Sequence, residues 1–455
     1  MNSSTPTVAT RRVSKGAAAC QYFRQSGVIL GANLLAAMSS YLIHPVLGHL
    51  LGLDAYGTVI SLLSLLSILL IPTQIVATAV SRQTSALYVT HQHAQLNDLI
   101  RRLTFVFIPL GLGISAILGV FSSQIASFLN LQSSQQVLII AVVFVLAFVT
   151  AVNGGVLQGL QKFYWLAFVS TVPLIVRLIL VITFLALGWG INGAVLGFVL
   201  TPILDYFISL IPLVSILKGA RRPIPSLRPL WSSSATAAIA LASTVFLVNS
   251  DTILAKHFLP THEAGQYAAL GSLGNMVLFM SGSVVTVMFP KVVALYESGQ
   301  RTTHVMMQAL LGVLALSACI ESVYWLAPTT IVRLLFGSAF MAVAGHLAWY
   351  GLAMLFLALA QALLIYFLSV GSRVFILSAT LSCGLQIALI LVRHKSIEQF
   401  VQAVVIADSL LLSMLLIAWL ISSTNHKTTI ITSTSKLSRL SPPPLFESTW
   451  QSTKE

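Results

Sequence analysis

The chain has 455 residues, of which 57% are hydrophobic and only 8% charged, and its mean hydropathy is +0.93. A soluble domain carries about 25% charged residues, so a water-soluble fold is excluded and the solvent implied is lipid. The net charge of +13 would suggest nucleic acid in a soluble protein. Here the basic residues sit in loops and tails, which removes that partner and points to anchoring on the cytoplasmic side of a membrane.

The N-terminal stretch Met1–Arg24 is polar and basic. It lacks the short apolar core and small-residue cleavage site of a signal peptide, so residues 1–26 are expected to be a cytoplasmic tail before a retained first helix. A membrane-spanning helix needs about 20 apolar residues. On that scale six segments lie within 27–217, at 27–50, 55–81, 103–128, 135–160, 164–187 and 192–217. Six more lie within 231–422, at 231–258, 264–290, 305–327, 341–369, 373–392 and 399–422. Between the two sets runs a linker, 218–230, with Lys218, Arg221, Arg222 and Arg228 interleaved with Pro223, Pro225 and Pro229. Residues 423–455 are Ser/Thr-rich, contain Pro442, Pro443 and Pro444, and are expected to be a disordered cytoplasmic tail. Cys20, Cys319 and Cys383 are too far apart in sequence to suggest a disulfide or zinc framework.

With the N-terminus inside, nineteen of the 24 Lys and Arg fall in inner loops and tails, and only Lys256, Arg333, Arg393 and Lys395 fall outside. Both termini are therefore expected in the cytoplasm. A weak internal repeat supports two halves. Ala86-Leu87-Tyr88 recurs as Ala294-Leu295-Tyr296, and Gly57 maps onto Gly265 at the same offset of 208. Six helices per half is an even number, so the halves face the same way. The fold class expected is all-α and polytopic, with two parallel-related six-helix bundles about an axis along the membrane normal and a site between them.

Five ionisable residues lie inside these apolar segments: Arg177, Asp205, Asp251, Glu321 and Asp408. A charge at the centre of a membrane helix costs about 2.5–3.5 kcal/mol on insertion scales, so such groups face one another or water. Arg177 and Asp205 flank the tight turn at Leu187–Gly193 at equal distances, which puts them at one depth. They are read either as a fixed ion pair or as a cavity arginine for a diphosphate with an acid that orients it. Asn249, Asp251 and Thr252 place three polar groups in four residues of the seventh segment, suited to a cavity or to interhelical contact. His44 precedes a kinking Pro45 and is in position to titrate, and Asn33 lies deeper on the same segment. Glu321 and Asp408 show no partner in the sequence and are proton-site candidates. No phosphate-cradling loop, metal-spaced histidine pair or nucleophile elbow is present, so no enzyme activity, cofactor or metal is expected, and energy would come from an ion gradient, the membrane potential or use of the cargo.

Several stretches taken together resemble a family. They are Gly31-Ala32-Asn33-Leu34-Leu35, His44-Pro45-Val46-Leu47-Gly48, Asp54-Ala55-Tyr56-Gly57, Gly155-Val156-Leu157-Gln158-Gly159-Leu160-Gln161, Asn249-Ser250-Asp251-Thr252, Ala264-Gly265-Gln266-Tyr267 and Val287-Met288-Phe289-Pro290-Lys291. Their order is similar to that in the oligosaccharide flippases of the MOP superfamily, which also holds the MATE drug exporters and the lipid II flippases. The resemblance implies a V-shaped pair of bundles working by alternating access in the cell membrane. The implied cargo is a glycan on a polyprenyl pyrophosphate, flipped from the inner to the outer leaflet for cell-surface polysaccharide synthesis. Its partners would be that lipid-linked oligosaccharide, membrane lipids and the polysaccharide polymerase or glycosyltransferase machinery. On this reading the first and seventh segments border the cavity, so Asn33, His44, Asn249, Asp251 and Arg177 are the expected substrate contacts and Asp205, Glu321 and Asp408 the coupling or ion-pair groups. The alternatives are a cation-coupled drug exporter, disfavoured by the absence of an acid in 27–50, a lipid II flippase, and a glycan polymerase or ligase, disfavoured by the short outer loops.

Overall fold

The computed structural model describes residues 35, 36, 38–90, 92–219, 222, 223 and 235–437. Among these no strand occurs, and the chain runs as consecutive helices. The first half contains α1 (38–51), α2 (Leu53–Leu69), α3 (Ile71–Val89), α4 (His93–Val120), α5 (Ser122–Phe128), α6 (Gln135–Ala141), α7 (Val143–Gly159), α8 (Phe163–Ala186), α9 (Gly190–Leu210) and α10 (Val214–Leu217). The second half contains α11 (Ala235–Phe258), α12 (Thr261–Glu297), α13 (Thr303–Leu326), α14 (Pro328–Phe336), α15 (Ala344–Ser369), α16 (Val374–Val392) and α17 (Ile397–Leu437). Among the described residues ten helices are long and apolar enough to cross a membrane, and the bent pair α2–α3, taken as one span, adds an eleventh. The 41° bend follows from Pro72, which cannot donate to the carbonyl four residues back. The remaining expected segment, 27–50, is described only from residue 35.

The helices outrun the expected segments in several places: α3 runs on to Val89, past 81, and α4 already starts at His93, ahead of 103. Helix α12 spans 37 residues, about 55 Å at 1.5 Å per residue, and so outruns the roughly 30 Å hydrocarbon layer. Helix α17 continues to Leu437, past the boundary expected at 422, because no Gly or Pro interrupts it before Pro442. Residues 1–34, most of the linker and 438–455 lie outside the described residues.

Within the first half α3 and α4 pack on α7, and α8 on α9. The α3–α7 seam is close because Gly155 and Gly159 face the Ala77 and Ser81 carbonyls, a small-residue contact one turn apart. Within the second half α15 packs on α12, α13 and α17, and α16 on α11 and α17. Helix α2 is the joint: it packs chiefly against α11 and α12 of the other half.

The repeat-related glycines meet at that joint. A Cβ on Gly57 would lie 2.6 Å from the Gly265 Cα, and one on Gly265 would overlap the Leu53 carbonyl. The same end of the molecule holds further contacts between the halves. Asn130 donates to the His257 carbonyl at 3.0 Å, His257 Nδ1 sits 2.7 Å from the Phe128 carbonyl, and Asp54 approaches His262 at 3.9 Å. The bundles are thus sealed together at the end where α1 passes into α2.

Candidate functional site

Arg177 lies in the middle of α8, half-buried. One Nη donates to Ser40 Oγ on α1 at 3.2 Å, and the guanidinium lies 4.7 Å from the centre of the Phe198 ring on α9. That is cation–π distance, and the aromatic face offsets part of the desolvation. Among the described residues no ion pair joins Arg177 to Asp205. Arg177 Nε and Asp205 Oδ1 are both buried without a hydrogen-bond partner. The pairing expected from equal depth is therefore not formed. Depth follows from counting residues to the turn, whereas the face a side chain takes is set by packing, and packing turns Arg177 onto α1 and Phe198.

Helix α1 carries this site across to the second half. Tyr41 donates to the Asn275 carbonyl at 2.6 Å, and His44 Nδ1 is 3.1 Å from the Tyr56 hydroxyl, itself 2.7 Å from Ser272 Oγ. Ser40, Tyr41 and His44 therefore link α8 on one side to α2 and α12 on the other. The wall around them is aromatic: Tyr56 meets Phe336 and Phe340 edge-on, and Tyr41 meets Phe279. A cavity of about 210 Å³ lies beside them, lined by Met38, Tyr41, His44, Ser272, Met276 and Phe336 among others. Asn33 lies outside the described residues.

A second polar centre is enclosed in the other half. Asp251 on α11 is fully buried and accepts from Tyr267 Oη on α12 at 2.7 Å, from Tyr350 Oη on α15 at 2.8 Å and from its own neighbour Thr252 N at 2.7 Å. It ties three helices together, the interhelical arrangement that was the alternative to a cavity contact for it. Asp408 on α17 is 1% exposed, neither carboxylate oxygen has a hydrogen-bond partner, and it is within electrostatic reach of Asp251. Two buried acids thus share one compartment while only one is satisfied. Asn249 donates to the Val245 carbonyl of its own helix at 2.8 Å. Glu321 on α13 is buried over Gly351 of α15, where the missing Cβ leaves room for its carboxylate. Trp325, one turn on, and Tyr324 are polar neighbours of it.

Residues 23–296, more than half of the chain, match the family model described as polysaccharide biosynthesis protein. The chain belongs to that family. No curated protein sequence matches it. In fold, it is similar to an inward-facing multidrug resistance MATE family transporter of the MOP superfamily, with TM-score 0.68 and 13% identity over 88% of this chain and 99% of that one. It is also similar to the lipid II flippase MurJ in an inward closed conformation, with TM-score 0.65 and 15% identity over 87% of each chain. A third likeness is the eukaryotic MATE transporter AtDTX14, with TM-score 0.61 and 13% identity over 88% of this chain and 96% of that one. This polysaccharide biosynthesis family member is therefore an all-helical, multi-pass membrane protein whose fold is like that of the MATE transporters and MurJ.

Reading the sequence for charges alone misses the groups that hold the charges. Ser40, Phe198, Tyr267 and Tyr350 complete the two polar centres. A signal for the tyrosines was available, since a tyrosine deep in an apolar segment needs a partner for its hydroxyl. Nothing in the sequence marks Ser40 or Phe198.

Proposed function

We propose that this protein flips a polyprenyl-pyrophosphate-linked oligosaccharide from the inner to the outer leaflet of the cell membrane by alternating access. The observation that carries the reading is Arg177, a half-buried guanidinium at mid-helix depth held by a serine and an aromatic face. Such an arrangement leaves its charge unneutralised by a carboxylate. A forked, permanently charged donor suits a diphosphate. With Phe198 behind it, the guanidinium keeps N–H donors for the anion while its flat face stays covered.

On this reading both termini are cytoplasmic and the sealed end is the outer one, so the conformation is open toward the inside. The pyrophosphate enters from the inner leaflet and reaches Arg177 while the polyprenyl chain stays in lipid. The anion competes with Ser40 for the guanidinium. Because Ser40, Tyr41 and His44 share α1, a change at Arg177 is passed to the Tyr56–Ser272 contact beside the outer seal. Asn33, together with His44 on α1 and Asn249 on α11, meets the sugars. Asp251 and Asp408 take a coupling cation in the second half, with Glu321 and Asp205 as further acids that change surroundings when the bundles rock. The product would be handed to polysaccharide polymerase or glycosyltransferase machinery outside.

The test uses cells that lack the native flippase for a known lipid-linked glycan. Restored surface polysaccharide with the wild-type chain, and its loss with Arg177→Ala at equal membrane abundance, is expected. No restoration with several glycans, together with new resistance to cationic drugs, would replace this reading by drug export.

A further inference from the structure

Away from both polar centres, a groove of about 640 Å³ opens between α4, α7 and α9 at the end where the linker leaves α10. Its rim is basic and its walls are apolar. Arg101 and Arg102 line it, followed by Phe105, Val106 and Ile108 along α4 and by Val149 and Leu210 opposite. From Arg101 to Ile108 is about 10 Å along the helix. Phe105 is 80% exposed and Val106 53% exposed, so the mouth opens toward lipid.

The rim is a built structure. Asn97 donates to the Gly219 carbonyl at 2.7 Å, and the Arg222 amide donates to the Ala94 carbonyl at 3.0 Å, which pins the start of the linker against α4. Arg101 donates through Nε to Asn97 Oδ1 at 2.8 Å and through one Nη to the Leu217 carbonyl at 2.7 Å. It is exposed, and two of its five N–H groups are used in those bonds. Arg102 is paired with buried Asp98 at 2.7 Å. Lys218 and Arg222 belong to the pinned segment that follows α10, so two further basic residues lie near this rim in the chain. Deeper in the groove Asn153 is 1% exposed. Its amide donates to Ser209 Oγ at 3.0 Å, and its Oδ1 has no partner. A buried acceptor left unsatisfied is costly, on the order of 1–3 kcal/mol, and this one lines the groove.

We propose that the groove binds an anionic glycerophospholipid of the leaflet at that end, with the phosphodiester on Arg101 and a headgroup hydroxyl donated to Asn153 Oδ1. Phosphatidylglycerol is the simplest lipid of this chemistry. Basic pockets between membrane helices on the cytoplasmic side are suited to anionic headgroups, and the apolar wall from Phe105 to Ile108 takes the first part of an acyl chain. A choline headgroup has no hydrogen to give Asn153. An ethanolamine headgroup can donate from its ammonium, but the lipid lacks the net charge that the rim favours. The placement in the inner leaflet rests on the orientation proposed above; the binding itself does not depend on which glycan, if any, is carried.

The experiment is native mass spectrometry of the purified full-length protein with an equimolar mixture of phosphatidylglycerol, phosphatidylethanolamine and phosphatidylcholine, repeated with millimolar inorganic phosphate. Retention in the order glycerol, ethanolamine, choline is expected, with about tenfold between the first and last, the scale of one charge-assisted bond. Arg101→Gln should lower phosphatidylglycerol retention about tenfold. Val106→Trp should lower it too, by filling the mouth while leaving the rim intact. Inorganic phosphate should displace little of it, because the wall holds the chain. Equal retention by wild type and both variants at unchanged melting temperature would overturn the site, and full displacement by inorganic phosphate would overturn the lipid as its occupant. Failure of glycan transport leaves either outcome readable.

Discussion

Substituting Gly57 tests whether the seam between α2 and α12 is the outer gate. A Cβ there would lie 2.6 Å from the Gly265 Cα, 2.8 Å from its nitrogen and 3.3 Å from the Ala264 carbonyl carbon. Non-bonded carbons rest at about 3.5–4.0 Å, so the overlap is about 1 Å, and backbone rather than a flexible side chain stands in the way. The helices must separate. Overpacking of this kind costs about 1–3 kcal/mol, which moves a two-state equilibrium by about 5- to 150-fold. Gly57→Ala should therefore shift the protein away from the sealed state, and Gly57→Leu further. The readout is cross-linking of Asp54→Cys with His262→Cys in a chain whose Cys20, Cys319 and Cys383 are replaced by serine. The native side chains are 3.9 Å apart and about two-thirds exposed, at 65% and 63%, so neither change disturbs the core. Oxidation should cross-link the pair readily and stop transport in the Gly57 background, and the yield should fall several-fold with Gly57→Ala. An unchanged yield with Gly57→Leu, or full transport with the cross-link in place, would refute the seam as a gate.

The buried acids give contrasting expectations. Asp251→Ala leaves the fully buried Tyr267 and Tyr350 hydroxyls without their acceptor, at about 1–3 kcal/mol for each, and should lower the melting temperature in detergent by several degrees; an unchanged temperature would show that the tyrosines find other partners. Asp408→Asn keeps the shape of a side chain whose oxygens bond nothing, so abundance and melting temperature should hold while transport falls at least tenfold; intact transport would remove Asp408 from coupling. Gly351→Ala drives a methyl into the Glu321 carboxylate and should destabilise by about 1–3 kcal/mol. Glu321→Ala in the same chain should recover part of that loss, and strictly additive effects would show that the two residues do not meet.

Composition and hydropathy carried most of the fold, because a helix is the form in which an apolar segment satisfies its own backbone in lipid. The internal repeat was faint, yet its Gly57–Gly265 match lands on the seam between α2 and α12, where close backbone approach restricts the residue type. The site was legible only in part. Arg177 and Asp251 were identifiable because charge in an apolar helix is rare, and both proved to be the centres of polar arrangements. Their partners were not legible, since successive residues turn by about 100° around a helix and a one-residue change of face separates Asp205 from Arg177 as surely as a change of depth. Lys256, counted among the outer-loop charges, is 2% exposed, and its Nζ has no hydrogen-bond partner though it is within electrostatic reach of Asp54; such burial is a tertiary effect that no segment boundary reveals. The groove on α4 was hidden for the same reason, as Arg101 and Arg102 looked like ordinary inner-loop charges until the linker was folded back onto them.

The central claim is that Arg177 receives the pyrophosphate of a lipid-linked glycan. The most direct measurement is translocation of a fluorescent polyprenyl-pyrophosphate-linked glycan in proteoliposomes, comparing wild type with Arg177→Lys and Arg177→Ala at matched protein density. Transport by the wild type is expected, with a weakened rate for the lysine, which keeps the charge but not the fork, and a loss of about tenfold or more for the alanine. A folded Arg177→Ala protein that transports the glycan at the wild-type rate would contradict the account.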